Sequence, residues 1–427
     1  MINENRRGFV RAAGALAGAA ISGFPAIARA MGQHNVVVIG GGYGGATAAR
    51  YVMRWGGPKF RVTLIERNSQ FVSCPLSNLI LGGSKSLADI TRTYNGLRKE
   101  LVMVNHNEAV AIDPAAQVVK LGNGSSVNYD RLIVSPGVDM QWDQVPGMGG
   151  AEAQEKILHA WKAGPQTLAL RKQLEAMPDG GVFAITIPLA PYRCPPGPYE
   201  RACQVAHYFK QAKPTSKVII LDANDKIVSK AGLFEKAFKE DYAGIIEYRP
   251  NSKLMEVDVA SKTAKLEFED VTADVLNVIP PQRAADIAKN AGLITTNNKW
   301  CEVDWLTMQS KVENAIHVLG DATLAGPMMP KSGHMANQHG KLAAAAIVNL
   351  MRGKKPTESP VVMNTCYSFV DAKRVVHVAS VHQYSKEKRL VEPVQGAGGL
   401  SKEATELEGE YAFSWARNIW ADMLGEG

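Results

Sequence analysis

Residues 35–45 read Asn35-Val36-Val37-Val38-Ile39-Gly40-Gly41-Gly42-Tyr43-Gly44-Gly45. The first five form a β-branched run of the kind found in strands buried on both faces. Glycines follow without a spacer, and small residues lead into a helix predicted from about Gly44 to Trp55. A second predicted strand, Arg61 to Ile65, ends at Glu66. Strand, tight turn, helix, strand and acid, in that order, are the context that G-x-G-x-x-G needs in order to bind a dinucleotide. Gly40 serves the turn, Gly42 lets a pyrophosphate approach the backbone, and Gly45 lets helix and strand pack closely. The helix start offers unpaired N–H groups and partial positive charge to phosphate. Glu66 offers an acceptor for a ribose hydroxyl.

Further along, Ala315 to Leu319 reads as a strand and is followed by Gly320-Asp321-Ala322, a short loop and a helix predicted from about Gly333 to Met351. In flavoprotein disulfide reductase-like folds a strand-Gly-Asp unit of this kind sets an aspartate beside the ribityl chain and pyrophosphate. The helix start then faces the pyrimidine side of the flavin, where negative charge develops on reduction. Lys331 lies near that end. Leu132-Ile133-Val134-Ser135-Pro136-Gly137 has the character of the crossover that leaves the first nucleotide-binding unit. Three motifs in this order select FAD over NAD.

Between these halves, Gly180 to Ile187 and Lys217 to Leu221 read as two more strands, the second ending at Asp222. The turn between them holds no glycine fingerprint. From Pro188 to Pro198 it carries five prolines and Cys194. Proline has no N–H to give a phosphate, so this segment reads as a nucleotide-type fold without a nucleotide. Electrons are therefore expected to reach the flavin from something other than NAD(P)H.

Bulk properties narrow the class. The chain has 427 residues, 46% hydrophobic and 21% charged, with a formal charge of +7. Arg6, Arg7, Arg11 and Arg29 supply much of that excess, and the remainder is too weakly basic and too scattered to argue for nucleic acid. Arg6-Arg7-Gly8-Phe9-Val10, a weakly apolar stretch to Ala26 and Ala28-Arg29-Ala30 together read as a twin-arginine export signal, which predicts a periplasmic protein. No later segment has the apolar length of a membrane span, so no integral membrane contact is expected. The cysteines are Cys74, Cys194, Cys203, Cys301 and Cys366. None sits in a C-x-x-C-H or zinc-type spacing, so neither attached haem nor a metal site is expected. Cys203 and Cys301 read as core residues.

The C-terminal part shows strands at Val361–Phe369 and Val375–His382 and a helix over Thr405–Leu424. The expected fold is α/β, with two Rossmann-like dinucleotide-binding domains of the glutathione reductase type and a smaller α+β C-terminal domain. The expected boundaries are a signal peptide over 1–30, a discontinuous FAD domain over 31–146 and 274–354, a degenerate NAD-like domain over 147–273 and a C-terminal domain over 355–427.

Several stretches resemble one family. Cys194-Pro195-Pro196-Gly197-Pro198-Tyr199-Glu200-Arg201-Ala202, Ile279-Pro280-Pro281-Gln282-Arg283-Ala284, Met329-Pro330-Lys331-Ser332-Gly333 and Asn364-Thr365-Cys366-Tyr367-Ser368 are similar to the flavoprotein subunit of flavocytochrome c sulfide dehydrogenase. His159-Ala160-Trp161-Lys162-Ala163-Gly164 fits as well, and the likeness runs over nearly the whole chain after the signal. The resemblance implies that Cys194 and Cys366 form a redox-active disulfide on the flavin face, with Glu200 as a nearby acid. It implies that Cys74 bonds FAD covalently as an 8α-thioether. It further implies oxidation of sulfide to elemental sulfur or polysulfide, with a c-type cytochrome subunit as acceptor in a heterodimer. Two alternatives stand beside this reading: a sulfide:quinone oxidoreductase, and a non-catalytic flavin-binding or assembly protein. The site set carried forward is Cys194, Cys366 and Glu200 for catalysis, and Gly40, Gly42, Gly45, Glu66, Cys74, Gly320, Asp321 and Lys331 for the cofactor.

Overall fold

Val36, Val37 and Val38 are almost fully buried because their strand, His34–Ile39, lies at the centre of a five-stranded sheet. The computed structural model describes residues 33–426, and the predicted export signal lies outside them. The strands run in the order Ile316–Val318, Arg131–Val134, His34–Ile39, Phe60–Ile65, Met103–Asn105. All four pairings are parallel. Each buried valine contributes roughly 1.5–3 kcal/mol relative to an exposed one, which a continuous apolar strand secures only when both faces are covered.

The chain leaves His34–Ile39 for one neighbour through the helix Tyr43–Gly56, and its other neighbour, Arg131–Val134, belongs to a later part of the sequence. Strand order reverses there, which opens a crevice at the carboxyl end of the central strand. Helix Tyr43–Gly56 is crossed by helix Gly333–Met351. A Cβ on Gly340 would stand 2.5 Å from the Gly44 carbonyl oxygen, so the contact is between backbones. Asn337 Nδ2 also donates to Thr47 Oγ1 across the crossing at 2.9 Å.

A second parallel sheet has the order Ile246–Arg249, Lys217–Asp222, Val182–Ile187, Val275–Val278. Strands Val138–Met140 and Gln282–Ala284 pair antiparallel where the chain passes from the first sheet region to the second and back. The third layer is an antiparallel sheet of Val361–Phe369, Val375–Ser385 and Leu390–Leu400, followed by helix Glu406–Leu424. The fold is thus mixed α/β with two parallel Rossmann-like sheets, as the glycine and strand patterns predict.

Among the elements that the sequence patterns did not predict is a long strand of the C-terminal sheet. Leu390–Leu400 contains Gly396, Gly398 and Gly399, a composition that reads as loop. Gly398 adopts φ +123°, and a Cβ there would sit 2.3 Å from the Ala379 carbonyl oxygen. The glycines are therefore what lets this strand close on its neighbour, at a register shift between Ser380 and His382.

Candidate active site

The crevice at the end of His34–Ile39 deepens into a cavity of about 1350 Å³, larger than the ~300–1,000 Å³ typical of small-ligand sites. One end is bordered by Glu66 to Gln70 and by Asn107 to Val110. The middle runs past Gly40, Gly42, Ser135, Pro136, Gly320 and Asp321. The far end is walled by Cys74, His159, Arg193, Cys194, Glu200, Cys366, Tyr367 and Trp415.

The glycine turn meets the requirements of its motif. Gly40 has φ +94°, and a Cβ would come within 2.2 Å of the Ser135 carbonyl oxygen. At Gly45 it would stand 1.9 Å from the Gly40 carbonyl oxygen, whereas at Gly42 it would meet nothing within 4 Å on the protein side. Gly42 is the helix N-cap and faces the cavity. Glu66 Oε2 accepts the Gly41 N–H at 2.7 Å and Oε1 accepts that of Asn68 at 2.8 Å, so the acid braces the turn from which a nucleotide would be reached.

Asp321 is the clearest sign of an absent polar partner. Its Oδ1 is buried without a hydrogen-bond partner in the protein. Burial raises its pKa, against the pull of Arg193 and Lys331. A buried acceptor left unpaired costs about 1–3 kcal/mol, and a hydroxyl-bearing ligand along this stretch of cavity would satisfy it. Gly320, Asp321 and the open face of Gly42 therefore fit a flavin dinucleotide.

Lys331 departs from its expected place. Its Nζ turns away from the large cavity, donates to the Asp321 carbonyl at 3.0 Å and the Thr323 carbonyl at 2.5 Å, and lies 3.6 Å from the centre of the Trp300 ring. Burial lowers its pKa to about 8. The reason is local: the backbone before the Ser332 N-cap directs this side chain under the Gly320–Thr323 turn. What Lys331 offers the site is its carbonyl oxygen, which accepts the Cys194 N–H at 2.8 Å.

Cys194 occupies the left-handed region, φ +58°, which is uncommon for a residue with a Cβ. The surrounding loop is pinned by its own amides. Ala190 donates to Asn224 Oδ1, Arg193 to Gln282 Oε1 and Gly197 to the Cys194 carbonyl. Asp222, at the strand end where a ribose acceptor would sit, is committed to Tyr199 Oη at 2.6 Å and Tyr248 Oη at 3.1 Å. Tyr192 and Trp161 add side-chain bonds to the loop carbonyls of Pro195 and Arg193.

Cys366 faces the same cavity from strand Val361–Phe369. Its Sγ lies 3.3 Å from Asn364 Nδ2, and Asn364 Oδ1 in turn accepts from Ser332 Oγ at 2.6 Å. Both cysteines are free thiols in this structure. Burial raises the Cys194 thiol first, and the Cys366 sulfur is the next influence, which places the two within electrostatic reach of each other. Burial also raises Cys366, opposed by Lys230 and by the Asn364 hydrogen bond.

Glu200, in the first turn of helix Gly197–Ala212, is buried on the cavity wall. Oε1 accepts the Phe369 N–H at 3.1 Å and Oε2 accepts Asn78 Nδ2 at 3.2 Å. Burial raises its pKa. Asn78 follows the Cys74 turn, and its Oδ1 accepts from Arg201 Nε at 3.1 Å, so the Cys74 segment is tied to the proline-loop helix. Cys74 lines the cavity, while Cys203 and Cys301 are fully buried elsewhere.

Sequence reasoning passed over Arg193, His159, Lys230 and Asn364 as working residues. Arg193 reaches from the proline loop toward Cys74 and Asp321. His159 is held to about 3 by burial and then by the Arg201 charge, so its ring is neutral. Asn364 stands two residues from Cys366 on one strand face, a period-2 signal that could have marked it.

Three comparisons bear on this geometry. The family model for the sulfide dehydrogenase (flavocytochrome c) flavoprotein chain, central, matches residues 167–280. That for flavocytochrome c sulphide dehydrogenase, flavin-binding, matches 358–424, and that for pyridine nucleotide-disulphide oxidoreductase matches 34–175. The flavoprotein chain of sulfide dehydrogenase (flavocytochrome c) from Chlorobaculum thiosulfatiphilum is 47% identical over 49 residues, which are 12% of this chain and 100% of the relative's recorded sequence. The mitochondrial sulfide:quinone oxidoreductase of Mus musculus is 23% identical over 360 residues, covering 81% of this chain and 78% of that protein. In fold, the sulfide:quinone oxidoreductase structure from Aquifex aeolicus superposes with a TM-score of 0.72 at 18% identity, covering 92% of each chain. With a flavin-sized cavity and these matches in hand, the chain belongs to the flavoprotein chains of flavocytochrome c sulfide dehydrogenase, within the FAD-dependent sulfide-oxidising flavoproteins.

Proposed function

We propose that this chain oxidises hydrosulfide at the Cys194–Cys366 pair and passes the electrons through FAD to a c-type cytochrome subunit in the periplasm. The observation that carries the reading is the convergence of two sequence-distant cysteines and a buried carboxyl on the lining of one cavity, within electrostatic reach of one another.

In the oxidised form, hydrosulfide attacks one sulfur of the disulfide. The Cys–Cys bond breaks, a sulfur–sulfur bond to the substrate forms, and the other cysteine leaves as thiolate. Glu200 accepts the proton of the resulting persulfide. Persulfide and thiolate then rejoin as the disulfide, zero-valent sulfur departs, and two electrons leave the pair; the balance is one hydrosulfide giving one sulfur atom, one proton and two electrons. FAD supplies a two-electron sink that can release electrons singly to a haem. Gly40, Gly42, Gly45, Glu66, Gly320 and Asp321 would hold it, and Cys74, which lines the same cavity, would bond its 8α-methyl group. The amides of the proline loop and the Asp222 carboxylate are already engaged within the protein, which argues against NAD(P)H as electron source.

A second reading, a quinone acceptor, draws on the mouse relative, whose match spans 81% of this chain. Among the described residues no helix is long and apolar enough to cross a membrane. The deciding experiment is anaerobic sulfide addition to the purified protein, followed by soluble cytochrome c or a quinone analogue. Flavin bleaching followed by cytochrome reduction is expected. Bleaching relieved only by the quinone moves the assignment to the second reading, and a flavin that never bleaches removes the catalytic one. Cys366→Ser should keep its flavin and lose the bleaching. Cys74→Ala should release flavin on denaturation.

A further inference from the structure

Lys230 is a buried cation that no sequence motif marks. It has φ +58° and precedes the short helix Ala231–Lys236, yet its side chain crosses into the antiparallel C-terminal sheet. Nζ lies 3.0 Å from the Cys366 carbonyl oxygen, 2.7 Å from Ser368 Oγ and 3.3 Å from the Val376 carbonyl oxygen. The residue is 5% exposed.

A buried ammonium is costly unless it is both hydrogen-bonded and paired with opposite charge. The three oxygens satisfy its donors, but all three are neutral. The groups of opposite potential charge that face it are Cys366 on its strand, Glu200 on the proline-loop helix, Cys194 in the proline loop and, more weakly, Glu408 on the C-terminal helix. Glu200 spends its oxygens on Phe369 N–H and Asn78. The anion best placed to complete the pairing is therefore one that exists for only part of a catalytic cycle, the Cys366 thiolate. Asn364 Nδ2 lies 3.3 Å from the Cys366 sulfur and its Oδ1 3.4 Å.

We propose that Lys230 is a positioning residue of sulfide oxidation: its ammonium, locked beneath the Cys366 strand, makes Cys366 the thiolate of the cysteine pair. The proposal rests on the Cys194–Cys366 reading above. Lys230 touches neither substrate nor cofactor and acts through the sulfur. Burial lowers its own pKa to about 8, so the effect fades as pH rises through that value. Deprotonation need not break the network, because Ser368 can turn its hydroxyl hydrogen toward the neutral amine while two N–H groups remain for the carbonyls.

The test is the pH dependence of iodoacetamide alkylation at each cysteine of the reduced holoenzyme, read site by site by mass spectrometry. In the unaltered protein Cys366 should be modified with a lower pH midpoint than Cys194, and the reverse order overturns the proposal without any variant. Lys230→Met should move the Cys366 midpoint up by roughly one unit or more, about a tenfold loss of thiolate at fixed pH, with little change at Cys194. An unmoved Cys366 midpoint in a Lys230→Met protein that still binds flavin overturns it too. If instead Cys366→Ser retains sulfide-dependent flavin bleaching, the disulfide reading fails first, and that outcome is distinct from a stationary midpoint.

Discussion

Ser332 Oγ accepts the Met335 N–H at 3.0 Å and gives its own hydrogen to Asn364 Oδ1 at 2.6 Å. One hydroxyl thus caps the helix Gly333–Met351 and holds the Asn364 amide against Cys366 Sγ, which lies 3.3 Å from Nδ2 and 3.4 Å from Oδ1. The preceding carbonyl, that of Lys331, holds the backbone of Cys194. Two consecutive residues at the start of a cofactor-facing helix therefore tether both cysteine segments.

Ser332→Ala separates these duties. Loss of the cap should cost about 1 kcal/mol, seen as a fall of a few degrees in the thermal melt. Freed from its partner, Asn364 would no longer be fixed against the sulfur. A hydrogen bond to a charged group is worth roughly 1.5–3 kcal/mol, so stopped-flow flavin reduction by sulfide should slow by about tenfold or more. A melt shift with an unchanged reduction rate would limit Ser332 to its capping duty.

Gly197 is close to Cys194 for a steric reason. A Cβ there would stand 2.7 Å from the Trp161 ring and 2.9 Å from Cys194 Sγ. Overpacking of this kind costs roughly 1–3 kcal/mol, and Gly197→Ala should displace the sulfur from its seat. The expected result is a protein that binds flavin but closes its Cys194–Cys366 bond slowly after oxidation. Titration of free thiols against time measures it, and closure at the rate of the unaltered protein would refute the steric argument.

Gly42 offers the converse case. A Cβ at this position would meet no protein atom within 4 Å, and its φ of −72° suits any residue. Gly42→Ala should leave the flavin-free protein within about 0.5 kcal/mol of its original stability while sharply lowering flavin content. Absorbance of the purified protein and a denaturant melt of the stripped form are the two measurements. Loss of stability in the stripped form would mean that the glycine serves the fold rather than the cofactor.

Glu200 sets an acid limb. A carboxyl works as a base only when ionised, and burial raises this one above the usual range. The rate of flavin reduction by sulfide should therefore fall as pH drops through that raised pKa. Glu200→Gln should lower the plateau by about 10²–10⁴-fold, the usual contribution of a general base, and remove that limb from the pH profile. A profile that keeps the same limb assigns it to another group.

The cofactor end of the molecule was legible along the chain. A β-branched strand running into glycines and a small-residue helix is the pattern of a central parallel strand buried on both faces, and the strand-Gly-Asp unit with its long helix completes the flavin crevice. Helix Gly333–Met351 and the first two strands fall where their patterns predict. Cys194, Cys366, Cys74 and Glu200 were picked out by a family resemblance, and all four line one cavity. How they are held came from packing between distant segments. Leu390–Leu400 drew no assignment from its pattern, because glycine's preference is local, whereas its close approach to the neighbouring strand is not. Lys331 reads as a cofactor lysine, yet its side chain follows the backbone under the Gly320–Thr323 turn and leaves only its carbonyl at the site. Lys230 carries no pattern at all: its meaning comes from three oxygens on two strands more than 130 positions away. Patterns along a chain report periodicity and backbone needs; the partner of a buried charge is set by which distant strands the core brings beside it.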